Sequence, residues 1–546
     1  MQKVTDMGKI KEIVQALPEI YQPIYGHAEL STKTSRACFD RMTSINLVCD
    51  ALSDSLKKPL RVLDLGCAQG FFSLSLAERG AIVHGIDYLE QNIQVCNALQ
   101  SDFPHLRLSF NQARIEDEIN QLKDGEYDLV LGLSVFHHLI HGSGLDEAIN
   151  LIRKISERTS VGLFELALNT EPVYWGASLP SDPRQLLSGY RFVRKQGMFP
   201  THLSDILRPL YVCSNKFWFV KNRFEEFESS QDESHPYAQG VHVNTRKYFF
   251  GNHKILKQFS KERPDGLDVN VRELCREYEF LQQNKEHPDF PKISEYENDD
   301  DEIFLVREFL DGDLLSHALE CGKNLDKENI TENVLHQLMW LEERGLYHAD
   351  LRSWNVLLKP DGAPVIIDYG SITKQRNDCS WPNNIFLSFL ILLSEVYSGV
   401  VAKPVPIRQA LLNLQVLPTY YRIAFGALFA LPTHQWSFSN LHQAIHDAKN
   451  ACHSSGRADI TFIDEILSQV EHLSIISNRE INNRTAMASE HIQRLHEKIA
   501  SLEAEVASLE AGLSQKCKEL NAKESELDQW ERAPFRSSFL HYMHNR

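Results

Sequence analysis

Basic residues are in the minority: 57 Lys and Arg face 74 Asp and Glu, leaving a net charge of −17 over 546 residues. Phosphate backbones are gripped by clustered Lys and Arg, so this balance excludes a nucleic-acid-wrapping surface and points to small or neutral substrates. Paired cysteines are missing too. The ten cysteines are scattered, which suggests neither a cysteine zinc site nor a disulfide framework and fits a reducing cytoplasm. Long apolar runs are also absent, since the most apolar stretch, Ile385 to Leu393, is about half the length that spans a bilayer. The opening MQKVTDMGKIKEIVQALPEIY is a polar amphipathic segment without a signal-peptide apolar region, so neither export nor membrane spanning is expected.

What is present is ordinary globular composition, 42% apolar and 24% charged, in a chain too long for one core, so two or three domains are expected. Residues 61–87, RVLDLGCAQGFFSLSLAERGAIVHGID, read as a strand, a turn with Gly66 and Gly70, a helix and a second strand ending in Asp87. Such a β-α-β unit brings backbone close to a ligand at the turn, and the acid about 20 residues on is placed to accept from both ribose hydroxyls. The dinucleotide G-x-G-x-x-G is absent, because Gly66 is followed by CAQG. NQARIED at 111–117 and EYDLVLGLSVFHHL at 126–139 come next, and with that order the region resembles class I S-adenosylmethionine (SAM) methyltransferases. The resemblance implies that Asp64 and Gly66 lie at the cofactor's amino-acid end, that Asp87 holds the ribose, and that Arg114, Ile115 and Glu116 flank the adenine. His137 and His138 read either as ordinary strand-end residues or as catalytic bases. Methylating an anionic phosphate needs orientation more than a base, whereas methylating a hydroxyl needs a proton removed.

A second pattern starts near 236. KYFFGNHKILKQF reads as a β-hairpin with Lys257 between apolar positions, followed by the helical VRELCREYEFL, where Glu273 or Glu277 can pair with that lysine; Glu277 is favoured. YHADLRSWNVLLKPDGAPVIIDYGS at 347–371 resembles the H-x-D-x-x-x-x-N loop and D-[FY]-G of kinases and aminoglycoside-phosphotransferase-like enzymes. The resemblance implies that Asp350 takes the proton of the attacking hydroxyl, that Asn355 and Asp368 hold Mg2+, and that Pro236, Lys257, Glu308, Leu310 and Asp368 meet ATP, with adenine at the hinge strand IFLVREFL. Two departures stand out. PYAQGVHVNTRKYFF offers only Gly240 where kinases carry a glycine-rich lid, and A-P-E is missing, which argues for a small-molecule or glycan acceptor over a regulated protein kinase.

Toward the end Ile492, Leu495, Ile499, Leu502, Val506, Leu509 and Leu513 alternate three and four apart, continuing more weakly through Leu520 and Leu527. That heptad seam predicts an oligomerising coiled coil whose strand number the seam leaves open. After Pro534 the stretch FRSSFLHYMHNR puts Phe535, Phe539, Tyr542 and Met543 on one helical face, read as a short interfacial membrane contact or as a terminus docking on its own protein.

LPEIYQPIYGH at 17–27, VLDLGCAQGFFSLSLA, GLSVFHHL, YWGASLPSDPR, KYFFG, DYGSI and DCSWPNN at 378–384 together resemble the bifunctional kinase–methyltransferases that terminate polymannose O-antigen chains in Gram-negative bacteria. The fold class implied is an α/β Rossmann-like class I SAM methyltransferase over 1–208, an α+β bilobal kinase over 209–455, connecting helices over 456–484, a coiled coil over 485–530 and a tail over 531–546. The resemblance adds SAM contacts at Tyr21, Gln22, Arg41, Tyr88, Asn92 and Leu133. It implies ATP-dependent phosphorylation of the terminal mannose of a lipid-linked glycan, then methylation of that phosphate. It further implies a trimeric coil that sets glycan length beside a mannosyltransferase polymerase, at the cytoplasmic face of the inner membrane. Direct O-methylation of the sugar beside a silent kinase, and a non-catalytic scaffold for the polymerase, remain the alternatives.

Overall fold

A computed structural model describes residues 7–238, 241–242, 244–264, 266–379, 384–401, 412–454 and 461–532. Gly240, part of DCSWPNN and the aromatic stretch after Pro534 lie outside the described residues. Contacts divide the chain into two units, one comprising Met1–Leu314, Gly345–Asp350 and Trp354–Gln375, the other Leu315–Arg344, Leu351–Ser353 and Arg376–Arg546.

In the first unit, seven strands form one sheet: β1 (Arg61–Leu65), β2 (Ile82–Asp87), β3 (Leu108–Gln112), β4 (Leu129–Leu133), β5 (Val161–Glu165), β6 (Phe192–Phe199) and β7 (Arg208–Ser214), in the order β3-β2-β1-β4-β5-β7-β6. The first five are parallel and β7 is antiparallel to both of its neighbours. Their near-continuous apolar sequences, such as LVLGL in β4, suit strands covered on both faces. Because β7 starts at Arg208, the methyltransferase sheet continues to Ser214, beyond the boundary expected at 208.

The chain then forms a hairpin of β8 (Phe217–Val220) and β9 (Arg223–Glu226), and a five-stranded antiparallel sheet from β10 (Ser229–Gln231), β11 (Arg246–Gly251), β12 (Lys254–Ser260), β13 (Ile293–Asn298) and β14 (Glu302–Glu308). Both two-residue hairpin turns, Lys221–Asn222 and Asn252–His253, have positive φ at each position, the geometry that matches strand twist. No linker separates the two sheets. Val212 of β7, Phe192 of β6, Trp218, Phe249 and Phe304 belong to one buried apolar cluster, with the Phe192 and Phe249 rings 5.6 Å apart. Arg194 lies 4.7 Å above the Phe304 ring and reaches Glu297 at 2.9 Å and Asp299 at 3.3 Å. The helix Val269–Gln283 packs against this second sheet.

The second unit is helical. The apolar run from Ile385 forms the buried helix Ile385–Ser398, capped by Asn384, whose Oδ1 accepts from the Phe386 and Leu387 amides. Among the described residues no helix is long and apolar enough to cross a membrane. The helix Thr461–Arg532 carries the heptad positions, and Ile492, Leu495, Ile499, Leu502, Val506, Leu509, Leu513 and Leu520 all stand exposed along it. The side chain of Leu527 is outside the described residues.

Candidate functional sites

The first site gathers where β1, β2, β4 and β5 end. In open α/β sheets ligands bind beyond the carboxyl ends of the strands where chain order reverses, here between β1 and β4. Gly66 follows β1 with φ +73°, and a Cβ there would come within 2.5 Å of Val135 Cγ1, so glycine is what permits the turn. Asp87 at the end of β2 accepts from the amides of Ala68 (2.9 Å) and Leu89 (2.8 Å) and from Asn92 Nδ2 (3.1 Å). A carboxylate has about four acceptor positions. A ribose engaging Asp87 through both hydroxyls must therefore displace one present donor, and Asn92 is the side chain able to turn away. Asn92 is itself held by Gln69 Nε2 at 2.6 Å, while Gln22 Oε1 accepts from the Phe71 amide at the start of the helix Phe71–Glu78.

Asp64 does not face open space. It is 2% exposed, accepts from Ser73 Oγ at 2.6 Å, and burial pushes its pKa up to about 6, with Asp87 adding to the rise. Arg41 is buried against Glu165, with its Nη2 on the Pro200 carbonyl at 2.8 Å. Arg36 reaches Tyr21 Oη at 2.8 Å and Ser134 Oγ at 3.0 Å, and also meets Glu165. Arg114 pairs with Glu116 at 2.8 Å across Ile115, the first residue of a short helix, and Tyr88 is exposed. Leu133 ends β4.

The rings of His137 and His138 lie tilted against each other, with centroids 4.1 Å apart, and the Trp175 ring lies 4.7 Å from His137. Burial pushes His137 down to about 2, and His138 and Arg208 add to the shift. His138 is lowered too, by burial first and then by Arg208 and His141. Arg208 is itself buried and bidentate to Glu171, at 2.6 and 2.8 Å.

The second site lies on the five-stranded sheet and the loop after it. Of the two acids on the helix Val269–Gln283, Glu277 meets Lys257, with Nζ to Oε2 2.5 Å, and its other oxygen meets Arg307 Nε at 2.8 Å. Glu273 pairs with Arg246 instead, at 2.5 Å. Burial alone would raise Glu277, but Lys257 and Arg307 hold it below the ordinary carboxylate range. Asp368 is half-buried and yet lowered, chiefly by Lys257, and accepts from Ser371 Oγ at 2.6 Å. Its φ of 65° turns the chain sharply at that point. Asn355 Nδ2 donates to both the carbonyl (2.8 Å) and Oδ2 (2.9 Å) of Asp350, so its Oδ1 is the atom able to face a metal. The loop is tied to the following strand by His348 Nε2 and the Ile367 carbonyl, 2.9 Å apart.

Where a glycine-rich lid was missing from the sequence, the short turn Pro236–Ala238 brings Tyr237 and His235 onto the Trp354 ring, each at 5.5 Å. Burial lowers His235, and Asp350 and Asp368 partly oppose that, which places it near both acids. At the hinge, the Glu308 amide donates to the Lys292 carbonyl and the Glu308 carbonyl accepts from Arg307 Nη1, both at 2.9 Å; Leu310 is half-buried just beyond.

Sequence reasoning did not reach Arg36, Glu165, Arg208, Glu171, Arg307, His235 or Trp354. Glu165 left a readable signal, an acid closing the apolar strand VGLFE. Arg36 and Arg307 left none, because their partners are far along the chain.

Family models match a methyltransferase domain over residues 56–161 and a protein kinase domain over residues 239–388. The O-antigen chain terminator bifunctional methyltransferase/kinase WbdD of Escherichia coli is 38% identical over 438 residues, which is 79% of this chain and 62% of that protein. A structure of WbdD superposes with a TM-score of 0.73 at 36% identity, covering 85% of this chain and 99% of the other. A WbdD structure with an ordered C-terminal bundle reaches 0.79, covering 90% and 99% at 36% identity. The chain thus spans about three fifths of the length of the curated relatives it matches. The two folds imply SAM and ATP as ligands. With a methyltransferase sheet, a kinase-like domain and a C-terminal helical region in the same order, the chain belongs to the WbdD family of bifunctional kinase–methyltransferases.

Proposed function

We propose that the chain caps a polymannose O-antigen by phosphorylating the 3-hydroxyl of its non-reducing terminal mannose and then methylating that phosphate, the kinase acting first although it is encoded second. The observation that carries this is the linked set Lys257–Glu277–Arg307 with Asp350, Asn355 and Asp368, together with the WbdD name of the relatives. ATP supplies the phosphoryl group and Mg2+ held by Asn355 and Asp368 offsets its charge. Lys257, fixed by Glu277, positions the α and β phosphates. Asp350, oriented by Asn355, takes the hydroxyl proton of the sugar. The rings of His235, Tyr237 and Trp354 form an aromatic shelf beside Asp350 on which that sugar can lie.

The SAM cradle runs from Gly66 to Asp87, flanked by Tyr21, Gln22, Arg41, Asn92 and the 114–116 turn, and its close backbone at Gly66 fits a nucleoside. SAM supplies the methyl group. A histidine held near 2, like His137, is too weak a base to take a hydroxyl proton, and an anionic phosphate needs none taken. That favours phosphate over sugar as the methyl acceptor.

Mass spectrometry of a synthetic oligomannose incubated with the enzyme, Mg2+, ATP and SAM, each omitted in turn, tests the order. ATP alone should give a phosphorylated product, and both donors a methylated phosphate; a methyl on unphosphorylated mannan with SAM alone overturns the proposal. The exposed seam of the long helix supports self-association, read as a trimer that spaces the catalytic head from a polymerase at the membrane surface. Deleting whole heptads should shorten the glycan, and unchanged lengths would remove the ruler from the proposal.

A further inference from the structure

The helices Lys327–Glu342 and Phe438–Ser454 of the second unit run antiparallel, as three contacts along them show. Glu342 Oε2 accepts from the Phe438 amide at 2.7 Å, His336 meets His442, and Glu332 meets Lys449 Nζ at 2.5 Å. The middle contact is unusual. His336 Nε2 and His442 Nε2 lie 3.3 Å apart, with ring centroids 5.1 Å apart and planes at 53°. Two nitrogens each about 2.0–2.1 Å from one zinc ion at a tetrahedral angle stand about 3.3–3.4 Å apart. The nitrogens are closer than the ring centroids, so the two Nε2 edges face each other at the spacing that one zinc ion would bridge.

We propose that His336 and His442 form the core of a transition-metal site, zinc in class, that clips these two helices together. His446 follows His442 by four residues, one turn along the same face, and the antiparallel register sets it opposite Glu332, itself one turn before His336. His446 has Asn450 on its Nδ1, at 3.2 Å, and its Nε2 is the third ligand after a rotamer change. Glu332 stays with Lys449, and water completes the four. Imidazole donors suit zinc, copper and nickel more than magnesium, so the site is chemically distinct from the one at Asn355 and Asp368. The clip fixes the last helix before the long Thr461–Arg532 helix to the body of its unit.

The test is titration of the full chain, stripped with a chelator, with Zn2+ by calorimetry and with Co2+ by visible absorption. The wild type should bind one equivalent that H336A and H442A each lose, with the tetrahedral Co2+ bands lost in parallel and at least a tenfold weaker Zn2+ affinity in H446A. Zinc should also raise the melting temperature of the wild type and not that of H336A. Because His442 is half-buried, H442Q, which retains a polar side chain, guards against misfolding and should lose the same equivalent with unchanged circular dichroism. Stoichiometry and affinity unaltered in H336A and H442Q would overturn the site and leave the pair as an ordinary N–H···N hydrogen bond.

Discussion

Two carboxylates in this molecule are buried to the same extent and carry opposite shifts. Asp64, under the methyltransferase turn, and Glu277, beside the kinase strand, are each 2% exposed. Asp64 has a hydroxyl for its partner and rises to about 6; Glu277 has Lys257 and Arg307 and falls below its ordinary range. Burial disfavours charge at both, and at Glu277 two cations at hydrogen-bond distance reverse it while the single hydroxyl at Asp64 does not. At the nucleoside site Asp64 and Asp87 meet hydroxyl, amide and backbone donors while Arg36, Arg41 and Glu165 pair among themselves, whereas at the phosphoryl site the carboxylate is tied directly to Lys257 and Arg307. His137 and His138 continue the first pattern, being held neutral, and Asp368 continues the second.

The comparison breaks most visibly if the charged array is not the phosphoryl centre. Asp350→Ala should lower phosphate transfer by about 10³-fold or more, within the range for loss of a general base, while methylation of a pre-phosphorylated acceptor continues unchanged. Radiolabel transfer from ATP and from SAM, measured separately, checks both halves. Glu277→Gln probes the array's wiring. It leaves Lys257 and Arg307 without their shared negative charge in a buried place, a change of the kind that costs about 3–5 kcal/mol, so urea denaturation should show that loss alongside slowed phosphoryl transfer.

At the other site Asp87→Ala should weaken SAM binding by about 10- to 100-fold, the scale of one hydrogen bond to a charged group, and leave ATP binding untouched in calorimetry. The contrast also sharpens through pH. The folded pKa of Asp64, about 6, is above its ordinary 3.8, so the folded state binds the extra proton more tightly than the unfolded chain. Its contribution is fully present below 3.8 and is lost as pH rises through 6, leaving a cost of up to about 3 kcal/mol above that window. Asp64→Asn removes the titration, so its stability relative to wild type should rise between pH 4 and pH 7, as read from denaturation midpoints; a pH-independent difference would mean that Asp64 is charged in the fold.

Both folds were legible in the sequence because their signals are local. The turn around Gly66 sits between two strands within one short stretch, and Asp350, Asn355 and Asp368 fall inside a single loop-and-strand segment. The hairpin at Asn252–His253 was readable for the same reason. The boundary near 208 was misplaced because nothing local marks β7 as the strand that inserts between β5 and β6. Arg36 and Arg208 were invisible because each acts through a partner brought close only by the sheet, whereas Glu165 could be read only as an acid closing an apolar strand.

By itself, the sequence determined the two chemistries, their order along the chain and the heptad seam, since motif spacing and periodicity survive without any tertiary contact. Only the tertiary structure decided which glutamate holds Lys257, that Arg307 shares it, that both sheets enclose one apolar core, and that His336 and His442 on separate helices meet. Those outcomes depend on strand register and helix packing, which bring residues from distant parts of the chain within hydrogen-bond distance; at that range burial and charge, rather than residue type, set what each group does.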